Sequence, residues 1–142
     1  EFFAETLNLF CRDHHDYSFV ILGSPSEKPL GERLRSALKA PSLNLIGLTG
    51  IAELVEAIRR SRLLLCNDSG PMHIAAALGT PLTALFGPTD PVLTGPFSDR
   101  AEALTAPVDC VKCFKRECAG SGCHAAISAA AVKKSMEKML GL

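Results

Sequence analysis

A carboxylate, a hydroxyl, a glycine and an imidazole fall within six residues of one another in this chain: Asp68, Ser69 and Gly70, then His73 beyond Pro71 and Met72. Ahead of them runs an apolar stretch at 63–66, the pattern of a parallel strand covered on both faces. Asp68 and Ser69 are residue types that cap helix N-termini, and Pro71 suits a first helical turn, where its missing N–H is no loss. Gly79 and Pro81 then stop the helix. A strand running into a helix N-terminus presents free N–H groups and the positive end of a dipole, which together hold an anion. Gly70 allows a ligand to come close to the backbone. The stretch therefore reads as a phosphate or diphosphate seat, with Ser69 and Gly70 as the contacts. Asp68 would repel a diphosphate, so its role is to cap the helix and accept hydrogen bonds from sugar hydroxyls. His73, one turn in, is within reach of a phosphate oxygen or is a satisfied structural histidine.

Two other readings compete for the same residues. Asp-Ser-Gly also surrounds a nucleophilic serine in trypsin-like proteases, but that chemistry needs a histidine base and an aspartate placed by a double β-barrel. Here the histidine lies four residues on, on the same short helix, and the flanks alternate strand and helix. The plainer alternative is a core helix with a solvated cap.

The elements that must position this stretch follow from the apolar periodicity. Phe2, Phe3, Leu7 and Phe10 recur at helical spacing, which predicts a helix over 1–13. A strand is expected at 17–22, closed by the turn 23–26. A helix from Ser26 or Glu27 follows, carrying Leu30, Leu34 and Leu38. Then come a short strand at 43–46, a loop at 47–50 and a helix at 51–60 with Leu54, Val55 and Ile58 on one face. After the central strand and helix, 82–86 reads as a strand and 87–97 as a loop too rich in Gly and Pro to be an element. An edge strand at 101–105, an irregular cysteine-bearing segment at 107–124 and a final amphipathic helix at 127–140 complete the chain. The last helix has Val132, Met136, Met139 and Leu140 as its apolar side. Strand and helix alternate throughout, so the expected fold is α/β: a Rossmann-like parallel sheet with helices on both faces and right-handed crossovers, formed as a single domain over 1–142. Ligands of such sheets bind beyond the carboxyl ends of the strands. The turns there, 23–27, 47–50, 67–70 and 87–90, all combine glycine with polar residues.

Composition narrows the function. With 142 residues, 47% hydrophobic, 21% charged and a formal net charge of zero, the chain can build one full core and offers no electrostatic case for nucleic acid. No apolar run approaches the roughly 20 residues of a membrane span, and no signal peptide pattern opens the chain, so a cytosolic protein is expected. It begins at Glu1, directly in a helical pattern, and is expected to be part of a longer polypeptide.

The run Asp68-Ser69-Gly70-Pro71-Met72-His73-x-Ala75-Ala76-Ala77-x-Gly79-x-Pro81, followed by Leu85-Phe86-Gly87-Pro88-Thr89-Asp90-Pro91, resembles the signature of glycosyltransferase family 9, the ADP-heptose:lipopolysaccharide heptosyltransferases. The resemblance implies the C-terminal, donor-binding half of a two-domain GT-B enzyme that transfers heptose from ADP-heptose to the lipopolysaccharide inner core with inversion. It implies donor contacts along Asp68, Ser69, Gly70, Pro71, Met72 and His73. It assigns the ribose to Glu27 in the Gly-x-Pro-x-Glu turn, a carboxylate that otherwise serves as a helix N-terminal charge. Thr49 aligns with a position lining the base pocket. Thr89 and Asp90 lie in a loop that faces the cleft in this fold class, or are plain turn residues.

The family's Gly-rich turn with its lysine, its first strand and its N-terminal domain would all precede Glu1. That domain carries the acceptor site and the expected catalytic aspartate, so no catalytic base is expected in this chain. With the first strand outside it, 17–22 and 63–66 would flank an open sheet position. That position would be closed by direct pairing, by another chain or, as we favour, by a segment outside this sequence. No cofactor is required by the implied mechanism. The implied partners are the nucleotide-sugar and the lipopolysaccharide core, with at most peripheral membrane association at the inner face of the inner membrane.

A second constellation is Cys110-x2-Cys113-x4-Cys118-x4-Cys123-His124. Four clustered cysteines with a Cys-x-x-Cys pair in a cytosolic chain fit a structural zinc site, a disulfide pair or free thiols. The family carries a similar stretch without a metal role attached to it. Cys66 reads as a small buried hydrophobe and Cys11 as a helix-face residue. Two alternatives to the transferase stay open: a non-catalytic nucleotide-binding module with a Cys-rich, zinc-binding appendage, and a nucleotide-sugar epimerase of GT-B architecture.

Overall fold

The computed structural model describes residues 2–115 and 122–142, and the chain divides into two units, Glu1–Glu56 and Ala57–Leu142.

In the first unit, α1 (Phe2–Asp13) buries Ala4, Thr6, Leu7 and Phe10, the three-and-four spacing of one helix face. Phe10 packs edge-to-face on Tyr17, their ring centroids 5.0 Å apart. Two short parallel strands follow, β1 (Phe19–Ile21) and β2 (Ser42–Asn44), with Phe19 opposite Ser42 and Ile21 opposite Asn44. Both are shorter than the apolar runs suggest, and β2 is displaced toward the N-terminus. Their pairing continues as single bonds beyond the strands: the Leu45 N–H donates to Ile21 O at 2.9 Å and the Gly47 N–H to Gly23 O at 3.0 Å. Between them a 3-10 turn (Pro25–Glu27) leads into α2 (Lys28–Ala37). The expected apolar side of α2 is not its seat. Leu30 is 55% exposed, and Gly31 is the buried residue, because a Cβ there would run into Ile46 and Asn44. The Asn8 side chain ties α1 to the end of α2, donating to Ala37 O at 2.8 Å and accepting from the Lys39 N–H at 2.9 Å. α3 (Ile51–Arg60) begins in this unit and ends in the next.

The second unit holds a three-stranded parallel sheet in the order β3-β4-β5, from β3 (Leu64–Asn67), β4 (Leu82–Phe86) and β5 (Ala101–Thr105). α4 (Gly70–Leu78) packs on β3 and β4, and α6 (Ala129–Leu140) on β4 and β5. All five residues of β4 are buried, so this strand is covered on both faces. β3 was expected to be equally buried and is not: Leu64, Leu65 and Cys66 are half-buried and Asn67 is exposed. The reason lies in the sheet order, since β3 has a strand neighbour on one side only among the described residues. β1 likewise pairs on one side. α6 starts two residues later than expected, with Ser128 as its N-cap, its Oγ accepting from the Ala131 N–H at 3.2 Å. In its buried face Ser135 meets Thr83 of β4, hydroxyl to hydroxyl at 2.9 Å. The loop 87–97 contains an element after all, the single-turn helix α5 (Pro91–Thr94). No helix among the described residues is long and apolar enough to cross a membrane.

Candidate functional site

The carboxyl end of β3 passes into α4 through Asp68 and Ser69. Backbone pairing carries the turn forward, the Asp68 N–H donating to Leu85 O at 3.2 Å. Ser69 takes the N-cap position in extended conformation, but its hydroxyl turns back to donate to Asn67 O at 3.1 Å and does not cap α4. The expected serine cap is thus absent, and among the described residues no side chain bonds the first N–H groups of the helix. Gly70 opens the helix, and outside its own turn no atom of the described residues lies within 4 Å of where a Cβ would stand. Pro71 follows in the first turn, Met72 is fully buried, and His73 is exposed. At the far end Gly79 closes α4 in the left-handed conformation at φ 70°.

Opposite this turn stands the loop after β4, which the residues alone did not resolve. Asp90 caps α5, its Oδ1 accepting from the Val92 N–H at 3.0 Å, while Lys112 Nζ lies 3.1 Å from its Oδ2. The Val92 N–H first, and the Lys112 ammonium with it, hold the Asp90 carboxyl below the usual carboxylate range. Thr94, the last residue of α5, donates from Oγ1 to Asp68 Oδ2 at 3.1 Å. Asp68 and Asp90 are therefore joined through α5, and Lys112 attaches the cysteine-bearing segment to the same cluster. That segment is also held by the backbone, the Phe114 N–H donating to Pro88 O at 2.8 Å. Thr89 contributes a buried hydroxyl with no hydrogen-bond partner among the described residues, an arrangement that costs about 1–3 kcal/mol. Behind the loop, Gly87 is pressed by Cys123 and by His124, whose Cε1 would lie 2.9 Å from an added Cβ.

Glu27 and Thr49 belong to the first unit. The Ser24 hydroxyl and the Ser24 N–H both donate to Glu27 Oε2 at 2.7 Å, and in that order they draw the Glu27 carboxyl below its ordinary value. Glu27 is therefore a reciprocal cap of its own turn. Thr49 lies half-buried in the loop before α3. Thus the structure assembles Asp68, Ser69, Gly70, Asp90, Thr94 and Lys112 in the second unit, and Glu27 with Thr49 in the turns beyond β1 and β2 of the first.

Sequence reasoning missed Thr94 and Lys112. The pair Asp90-Pro91 is itself a helix-start signal, a capping residue followed by proline at the first position; read that way it would have shown α5 and put Thr94 at its end. Lys112 carries no such signal, since its place depends on a left-handed backbone at φ 63° within an irregular segment. The zinc expectation falls partly outside the described residues, because Cys118 lies there. Cys110, Cys113 and Cys123 are free thiols, the first two exposed, and no group of three metal-binding side chains occurs among the described residues. Burial, and then the Asp68 carboxylate, push the Cys66 thiol up to about 12, so it stays protonated and inert beside the turn.

The second unit thus combines a parallel α/β scaffold with a helix N-terminus left open beside a carboxylate, an arrangement in which backbone N–H groups can hold an anion. The profile of glycosyltransferase family 9 (heptosyltransferase) matches residues 2–124, and the chain belongs to that family. It is 42% identical over 92 residues to lipooligosaccharide heptosyltransferase 2 of Haemophilus influenzae, an alignment covering 62% of this chain and 27% of that protein. Among solved structures it resembles the glycosyl transferase family 9 protein of Veillonella parvula, with a TM-score of 0.82 and 29% identity over 98% of this chain and 40% of that one. E. coli heptosyltransferase WaaC with ADP shares the fold, with a TM-score of 0.74 at 22% identity, over 96% of this chain and 38% of that one. The chain thus spans about a quarter of the curated relative.

Proposed function

We propose that this chain is the donor-binding half of an inverting glycosyltransferase that moves heptose from ADP-heptose to the inner core of lipopolysaccharide. One observation carries the reading: in a family 9 chain, the N-terminus of α4 opens at an unobstructed Gly70 with the Asp68 carboxylate beside it. The diphosphate would lie against the N–H groups at Ser69 and Gly70, where the helix dipole favours negative charge. As the glycosidic bond to phosphate breaks, charge grows on the leaving diphosphate, and donors already in place stabilise it more in the transition state than in the ground state. Asp68 would accept from sugar hydroxyls, His73 would reach a phosphate oxygen, and Glu27 and Thr49 would serve the ribose and the base. Attack comes from an acceptor hydroxyl, deprotonated by a base from an acceptor-binding domain elsewhere in the polypeptide. Family relatives include a protein solved with ADP, which supports the nucleotide assignment. The chain would work at the inner face of the inner membrane, where a lipid-linked acceptor is presented, as a cytoplasmic protein with no more than peripheral attachment.

Calorimetric titration of the intact protein with ADP-heptose checks this. Gly70→Val should weaken binding at least tenfold, about 1.4 kcal/mol, and Ser69→Ala measurably, while the remote surface change Lys39→Ala leaves it alone. Equal losses at all three positions, or no binding at all, would overturn the assignment.

A further inference from the structure

We propose that Thr94 is a positioning residue for the donor's sugar, acting through Asp68; the inference rests on the donor-site reading above. Two acceptors compete for the Thr94 hydroxyl: Asp68 Oδ2 at 3.1 Å and the Asp90 carbonyl oxygen at 3.2 Å. A hydroxyl has one proton to give. The Asp90 carbonyl already receives the Thr94 N–H at 2.9 Å and the Leu93 N–H at 2.9 Å, so it has little need of a third donor. Asp68 has a charge to offer, and charge-assisted bonds are the stronger. The proton therefore goes to Asp68 Oδ2.

That bond fixes a side chain whose backbone is already fixed. The Asp68 N–H is tied to Leu85 O of β4, and the far end of the bond is anchored by α5, itself pinned through Asp90 to Val92 and Lys112. With Oδ2 engaged, the carboxylate cannot spin freely about its last torsion, and Oδ1 is the oxygen presented to an incoming hydroxyl. Preorganised acceptors spend less ordering entropy on binding. Threonine suits the task better than serine, because its β-branch leaves fewer rotamers. The diphosphate and the nucleoside make no use of this bond. The consequence is specific: Thr94 should govern how much the sugar adds to the affinity of the nucleotide, and not the affinity of the nucleotide itself.

The test compares ADP with ADP-heptose in titrations of the intact protein. Thr94→Val should lower the preference for ADP-heptose over ADP about fivefold, the weight of one hydrogen bond, with ADP affinity unchanged. Thr94→Ser should recover most of that preference. On an Asp68→Ala background, which removes the acceptor, Thr94→Val should add nothing further, as expected for two residues acting as one unit. If the valine variant melts early, Thr94→Ala provides the same comparison. An unchanged preference in Thr94→Val, or an equal loss for ADP and ADP-heptose, would overturn the positioning role while leaving the donor site standing. Failure of the unaltered protein to bind ADP at all would overturn the donor site, and this inference with it.

Discussion

β4 and β2 are both parallel strands in the same chain, yet one is sealed and the other is half open to water. Every side chain of Leu82–Phe86 is buried, whereas Leu43 in the middle of Ser42–Asn44 is 56% exposed. The difference comes from neighbours. Among the described residues β4 has a strand on each side and helices α4 and α6 packed upon it, while β2 has one partner strand and α2 held close by a glycine. A parallel sheet is stable where both faces are covered. The comparison shows what frames the site in the second unit: Asp90 follows the sealed strand β4, and Asp68 follows β3, which is half-buried and pairs with it.

Core truncation should break the comparison most widely. Phe86→Ala ought to cost about 3–5 kcal/mol in denaturant unfolding, and Leu43→Ala less than about 1 kcal/mol. Comparable losses would mean that the first unit is as tightly packed as the second. The glycines give a sharper and smaller contrast. Gly87→Ala forces a methyl into Cys123 and His124 and should cost about 1–3 kcal/mol, whereas Gly70→Ala meets nothing and should leave stability intact while weakening donor binding. A Gly70→Ala protein that melts early would mean that its face is occupied by the chain itself.

The smallest effect belongs to the cap at Glu27. Its carboxyl is drawn down in the folded state, so the stability it supplies is present above the usual carboxylate value of about 4.3 and is lost as pH falls through the folded value. Glu27→Gln, which imitates the protonated acid, should lower the melting temperature slightly at neutral pH. The gap should close as the solution becomes strongly acid. A gap that persists there would tie the effect to something other than charge. Because Glu27 is exposed, solvent screens it and the shift is expected to be modest.

What was legible in the residues divides along the same line. Where apolar periodicity and punctuation agree, as in 51–60, 82–86 and 101–105, the elements lie where the pattern puts them. The turn from Asn67 to Gly70 and the stop at Gly79 were equally readable, because proline and glycine have steric meanings that context does not override. The burial of β3 was not, since whether an apolar run is covered depends on which strands flank it. Nor was the direction of the Ser69 hydroxyl, which turns back to Asn67 O, since such a side chain can bond local backbone in place of capping the helix. The bonds of Thr94 and Lys112 join residues 26 and 22 positions away from their partners, Asp68 and Asp90, a separation at which local pattern carries no information.

The hydroxyl pair of Thr83 and Ser135 has a consequence for how the chain can vary. Apolar contact alone would let α6 roll on its bed, because one methyl group fits against a sheet much as another does. A directional bond at the middle of that contact, with Lys138 meeting Glu102 at 2.9 Å one turn along, acts as an index pin. The helix has one angular setting, determined by its own residues. The stretch between β5 and α6 can therefore change length without turning the helix, provided that Lys112 still reaches Asp90 and that Cys123 and His124 still fit against Gly87.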